Sequence, residues 1–243
     1  MVAVNAQIIK SLKSRASKGR AQVMARVFKT GKGEYAEGDI FHGVSVPDQR
    51  VIAKKYYLQS DAVSVSELLK SRYHEERLTA LFILTHLFEH AQKKGAGELY
   101  VNLYLKEIQY VNNWDLVDST AYKILGPWLE DKKRNILYKL ADSKNLWENR
   151  VAVIATLHFI KKNDFADILK LSEKLLFHAH DLMHKAIGWM LREAWKVNPG
   201  PIETFLHHQA SVMPRTMLRY AIEKMTESKR KYYLNAKNHT FKG

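Results

Sequence analysis

Trp114 and Asp118 stand four residues apart in YVNNWDLVDSTAYKILGPWL, residues 110–129. On a helix that spacing puts an indole ring and a carboxylate on one face. Arg150 follows 32 residues after Asp118, and Trp189 follows 39 after Arg150. Indole faces hold a cation or a sugar. The planar fork of an arginine holds a phosphate. A carboxylate repels phosphate, so among bases that bind a polyanion it points to chemistry rather than affinity. The same pattern is also met by two core tryptophans and an Asp118 that caps a helix or pairs with Arg150; the spacing leaves both readings open.

The elements that must position these residues read as helices almost throughout. SRYHEERLTALFILTHLFEHAQKK, NLWENRVAVIATLHFIKKN and HDLMHKAIGWMLREAWKVNP carry apolar residues at intervals of three and four. Stops follow at Gly95 and Gly97, at Asn163-Asp164 and at Pro199-Gly200-Pro201. No stretch alternates long enough to make a strand. ERLTALFI, NRVAVIAT and HKAIGWML resemble one another, each placing a base (Arg77, Arg150, Lys185) ahead of an apolar run. The last two bases are 35 residues apart and the first two 73, about two units. A recurring helix pair of roughly 35–45 residues predicts an all-α fold, an α-solenoid of HEAT-like repeats with a concave basic groove. Intervals near one repeat would bring Trp114, Asp118, Arg150 and Trp189 to one patch of that groove. The layout expected is one domain over 1–243: N-terminal helices at 1–30, a glycine-rich loop at 31–48, a repeat body at 49–233, and a tail that frays over 234–243.

The chain's 243 residues carry 39 Lys and Arg against 25 Asp and Glu, a net charge of +14. An excess of this size favours a polyanionic partner, nucleic acid first. No apolar run approaches the roughly 20 residues of a membrane span, and the basic N-terminus lacks the apolar core of a secretory signal. Cysteine is absent, which removes disulfides, thiolate catalysis and cysteine-ligated zinc, and fits a reducing cytoplasm. There is no GxxxxGK[ST] and no GxGxxG, so no nucleotide cofactor is implied. His178, His180 and His184 cluster in HAHDLMH, but no HExxH or obvious carboxylate ligand accompanies them. No metal is expected there; phosphate contact or helix capping is.

WDLVDS at 114–119, LWENRVAV at 146–153 and HKAIGWMLREAWKVNP at 184–199 resemble the AlkD-type DNA alkylation repair glycosylases, which are built of HEAT-like repeats. The resemblance covers about residues 40 to 225, with a weaker match through QVMARVFK. It implies an active-site cleft of Asp118, Arg150, Trp114 and Trp189. Beside that cleft, Arg77, Arg150 and Lys185 at equivalent repeat positions would form a basic stripe and, with Arg192, are the residues expected to bind DNA. It implies hydrolysis, without a cofactor, of the N-glycosidic bond of purines alkylated at N3 or N7. The expected partner is alkylated double-stranded DNA, the expected state a monomer in a bacterial cytoplasm. The family further implies recognition through the backbone, with the lesion still stacked. GVSVPDQR at 43–50 and the longer loop before it depart from the family pattern and bear on lesion range. The alternative class is a non-catalytic helical scaffold for nucleic acid or a protein, which has no need of Asp118.

Overall fold

The computed structural model describes residues 2–236, so the end of the expected tail, 237–243, lies outside the described residues. The fold is all-α. Among the described residues the one extended pairing is an isolated parallel bridge between Ile40 and Tyr73. No helix there is long and apolar enough to cross a membrane. The chain divides into two compact units, Met1–Thr120 and Ala121–Gly243, with the boundary inside one helix.

The first unit holds α1 (Val2–Lys13), α2 (Lys18–Val27), α3 (Val46–Tyr56), α4 (Ala62–Leu69), α5 (His74–Gln92), α6 (Glu98–Lys106) and the start of α7 (Trp114–Trp128). Its centre is α5, which packs against α1, α3, α4 and α6. α5 is buried on every side from its first residue, His74, through Thr85. A helix that is apolar all round belongs inside a fold, so the polar head of this one, His74-Glu75-Glu76-Arg77, is drawn in with it.

That head binds the segment joining α2 to α3. Glu75 accepts hydrogen bonds from the backbone N–H groups of His42 (3.0 Å), Gly43 (2.7 Å) and Val44 (3.2 Å). Glu76 meets the His42 ring at 2.8 Å and accepts from the Ser71 hydroxyl at 2.7 Å. Gly43 sits at φ +79°, and a Cβ there would lie 2.1 Å from the Ser17 carbonyl, so only glycine fits. The expected loop also ends earlier than residue 48. Ser45 accepts from Asp48 N–H and Pro47 lies in the first turn, which starts α3 at Val46.

The second unit holds the rest of α7, then α8 (Asn135–Ala141), α9 (Leu146–Ala155), α10 (Leu157–Ile160), α11 (Ala166–Lys174), α12 (Asp181–Val197), α13 (Pro199–Gln209), α14 (Arg215–Ala221) and α15 (Glu227–Leu234). Its centre is α12, in contact with α9, α10, α11, α13 and α14. A Cβ on Gly188 would come within 2.5 Å of the Met217 carbonyl and the Tyr220 Cβ. The glycine ahead of Trp189 is thus the point where α14 lies against α12. The stretch 145–163, read as a single helix, is interrupted at Thr156, whose hydroxyl donates to the Val153 carbonyl at 2.6 Å and competes with the helical ladder.

Candidate active site

Trp114 opens α7 and Asp118 lies one turn on; both are half-buried. The Trp114 N–H donates to the Asn113 side-chain oxygen at 2.8 Å. The Trp114 ring lies flat on Phe28, centroids 5.1 Å apart and planes 9° from parallel. Phe28 in turn meets Phe41 at 5.2 Å, and this aromatic cluster packs on Ala21, Met24 and Ala25 of α2. Beside Asp118, burial raises the Tyr104 hydroxyl above the usual phenol range and the Asp118 charge adds to the rise.

Beneath Trp114 lies a buried ionic network. His74 is fully buried, with Nδ1 3.0 Å from Asp39 and Nε2 2.8 Å from Asp115. Burial alone would lower the imidazole's pKa. The charge and hydrogen bond of Asp115 and the hydrogen bond to Asp39 outweigh it and push the pKa up to about 9. The ring is therefore an imidazolium at neutral pH and donates from both nitrogens. Burial would raise Asp39, but His74 and Arg77 hold its carboxyl below the usual range. Arg77 donates to Asp39 at 2.6 Å and to the Ser71 carbonyl at 3.0 Å. At 4% exposure its guanidinium is enclosed, and this ion pair accounts for a base at position 77 without any phosphate.

In the second unit, Arg150 of α9 is buried at 4% exposure and donates to the Leu182 carbonyl in the first turn of α12. Lys185, Trp189 and Arg192 follow at intervals of four and three on one face of α12. The half-buried Trp189 donates its ring N–H to Glu193 at 3.2 Å. Lys185 pairs with Asp181 at 2.7 Å, and Arg192 pairs with Glu193 and Glu223. The structure thus sets Trp114 with Asp118 on α7, and Arg150 with three α12 residues in the second unit. It sets Arg77 inside the first.

His180 caps α12, its Nδ1 accepting from the Leu182 N–H at 3.1 Å, while His184 donates to the His178 carbonyl at 2.6 Å. Burial, chiefly, holds the His178 and His180 pKa values down. Among the described residues, no group of three or more His, Asp or Glu side chains is placed to hold a metal ion. Sequence reading missed His74, Asp39 and Asp115. The available signal was HEER, four polar residues at the head of a helix too apolar to leave them in water.

A family model described as DNA alkylation repair enzyme matches residues 8–225. The chain belongs to that family. Among solved structures it is similar to a predicted DNA alkylation repair enzyme from Enterococcus faecalis, with a TM-score of 0.69 and 18% identity over 88% of this chain and 98% of that one. At that identity the likeness is one of fold. No curated protein matches significantly.

Proposed function

We propose that this protein is a DNA glycosylase that hydrolyses the N-glycosidic bond of N3- or N7-alkylated purines in duplex DNA, as a monomer acting in the cytoplasm. The observation that carries the reading is Asp118, one turn from Trp114 on α7, in a chain of the DNA alkylation repair family with a net charge of +14.

Alkylation at N3 or N7 makes the purine cationic, so the base departs with the electron pair of the broken C1′–N bond and leaves neutral. Little acid assistance is needed. Positive charge appears instead on the deoxyribose, where the Asp118 carboxylate stabilises it. Water adds to C1′ and its proton passes to Asp118 or to solvent, leaving an abasic site. The face of Trp114 on α7 favours a cationic centre, and so does that of Trp189 on α12. Arg150, as enclosed as Arg77 at 4% exposure, takes a phosphate beside the lesion once DNA binding uncovers its guanidinium, and Lys185 and Arg192 add positive charge along the backbone.

The test is incubation of the protein with methylated duplex DNA, scored for free N7-methylguanine or N3-methyladenine and for alkali-labile abasic sites. Release of the free base supports the enzyme. Tight binding with no release would establish the scaffold reading instead.

A further inference from the structure

The 31–48 segment has no part in the chemistry proposed above, yet it sends one carboxylate, Asp39, to the buried base of α7. There His74 bridges Asp39 and Asp115 at 3.0 and 2.8 Å. Asp115 is the residue next to Trp114 and its other oxygen accepts from the Leu116 N–H at 2.9 Å, so the carboxylate is locked to the first turn of the helix. Asn113, just before Trp114, reaches the same Asp39 oxygen that His74 binds, at 3.3 Å. Phe28 touches both rings, stacked on Trp114 and 4.9 Å from His74, while Phe41 lies 4.8 Å from the imidazole. From His74, polar contacts therefore reach the residues on either side of Trp114, Asp115 directly and Asn113 through Asp39, and aromatic contacts reach the Trp114 ring through Phe28.

We infer that His74 is a positioning residue: by bridging Asp39 of the loop to Asp115 of α7, it fixes the first turn of that helix and hence the orientation of the Trp114 ring and the Asp118 carboxylate toward the damaged nucleotide. The inference rests on the glycosylase reading for its substrate, and on geometry alone for the positioning. The charged groups around the imidazole are Asp39 from the loop, Asp115 from α7 and Arg77 from its own helix. One cation from α5 at the ring and another at Arg77 face two carboxylates, so the cluster is balanced when His74 is protonated. A neutral ring donates from one nitrogen only, so one of the two carboxylates would lose its imidazole donor and the ring would no longer tie the loop to α7. For a charge-stabilising carboxylate, displacement by about an ångström is enough to cost a large part of the rate.

The experiment uses the full chain labelled with 5-fluorotryptophan. Its five tryptophans give five fluorine resonances, that of Trp114 being assigned with Trp114→Phe. His74→Gln is expected to keep its helical circular dichroism and to bind lesion DNA within about threefold of wild type. It should move or broaden the Trp114 resonance while the other four hold, and lower single-turnover excision about tenfold. Asp115→Asn, isosteric but uncharged, is expected to repeat the pattern. An unmoved Trp114 resonance or an unchanged rate in a folded variant overturns the inference. So does failure of both variants to fold, since the network would then serve stability alone. If the wild-type protein releases no methylated purine, the glycosylase reading fails separately, and the fluorine spectra still decide whether His74 places Trp114.

Discussion

His74 and Asp115 meet at 2.8 Å with the imidazole fully buried, a charged pair on the inner side of the helix that presents Trp114 and Asp118. Its stability consequence has a definite sign. The folded pKa of His74 is raised from 6.5 to about 9, so folding binds a proton. The contribution is fully present below about pH 6.5 and is lost as pH rises through about 9. At 1.36 kcal/mol per unit the shift corresponds to about 3 kcal/mol. Asp39 acts in the opposite direction: its pKa is lowered from 3.8, so its share is present above that value and is lost as pH falls through the lowered one. Melting temperature measured from pH 6 to 10 should fall more steeply for wild type than for His74→Gln. Equal slopes would show that the ring is not charged in the folded protein.

Arg77→Ala separates a structural arginine from a DNA-binding one. The enclosed pair with Asp39 predicts that its loss leaves a buried carboxylate short of a partner, at a cost of about 3–5 kcal/mol. Chemical denaturation should show a clear drop in midpoint, and the salt dependence of DNA binding should be that of wild type. A stable variant with a reduced salt slope would return Arg77 to the phosphate-binding set.

Much of the helical plan was legible, because caps and stops are local chemistry. Asn163 takes a left-handed φ of +62° at the stop read there, Gly95 takes +72°, and Asn198 accepts from the Gly200 N–H to start α13 on Pro199. The ion pair of Arg77 was not legible. A base before an apolar run looks alike whether it meets solvent or a carboxylate from a loop 38 residues earlier, and only the fold supplies Asp39. The same holds for Glu75, whose partners are three backbone N–H groups with no side-chain signature. Thr156 escaped because a single hydroxyl bond to the preceding turn divides α9 from α10 without disturbing the apolar period.

Gly188→Ala tests the packing that carries Trp189. The added methyl would meet the Met217 carbonyl and Tyr220 Cβ at 2.5 Å, and backbone on α14 cannot yield as a flexible side chain can. Overpacking of this kind costs about 1–3 kcal/mol. Thermal melting should show the loss, where an alanine in an open helix position would stabilise. An unchanged or higher melting temperature would mean that α12 and α14 lie farther apart.

Lys185 and Arg192 are ion-paired on the surface, where such pairs contribute little to stability. Replacing both with alanine should leave melting within about 1 kcal/mol of wild type. If each takes a phosphate, the slope of log binding constant against log salt should shrink by about 0.9 for every phosphate no longer neutralised. Titrations with duplex DNA between about 50 and 200 mM salt would measure it. An unaltered slope would assign the two bases to the α12 surface alone.

Asp118→Asn keeps the shape of the side chain and removes its charge. If the carboxylate stabilises an oxocarbenium-like sugar, its charge counts more in the transition state than in the ground state. Deleting one preorganised electrostatic group lowers a rate by roughly 10²-fold or more. Single-turnover excision of N7-methylguanine should fall by that factor, while affinity for lesion DNA persists or tightens, since a negative charge leaves the surface that meets phosphate. A structural Asp118 predicts a different result, because loss of a partly buried charged group would depress melting, binding and rate together. Three measurements on the one variant, melting temperature, lesion-DNA affinity and single-turnover rate, therefore separate the two roles. A stable variant that excises at the wild-type rate would remove Asp118 from the mechanism and with it the main argument for this chemistry.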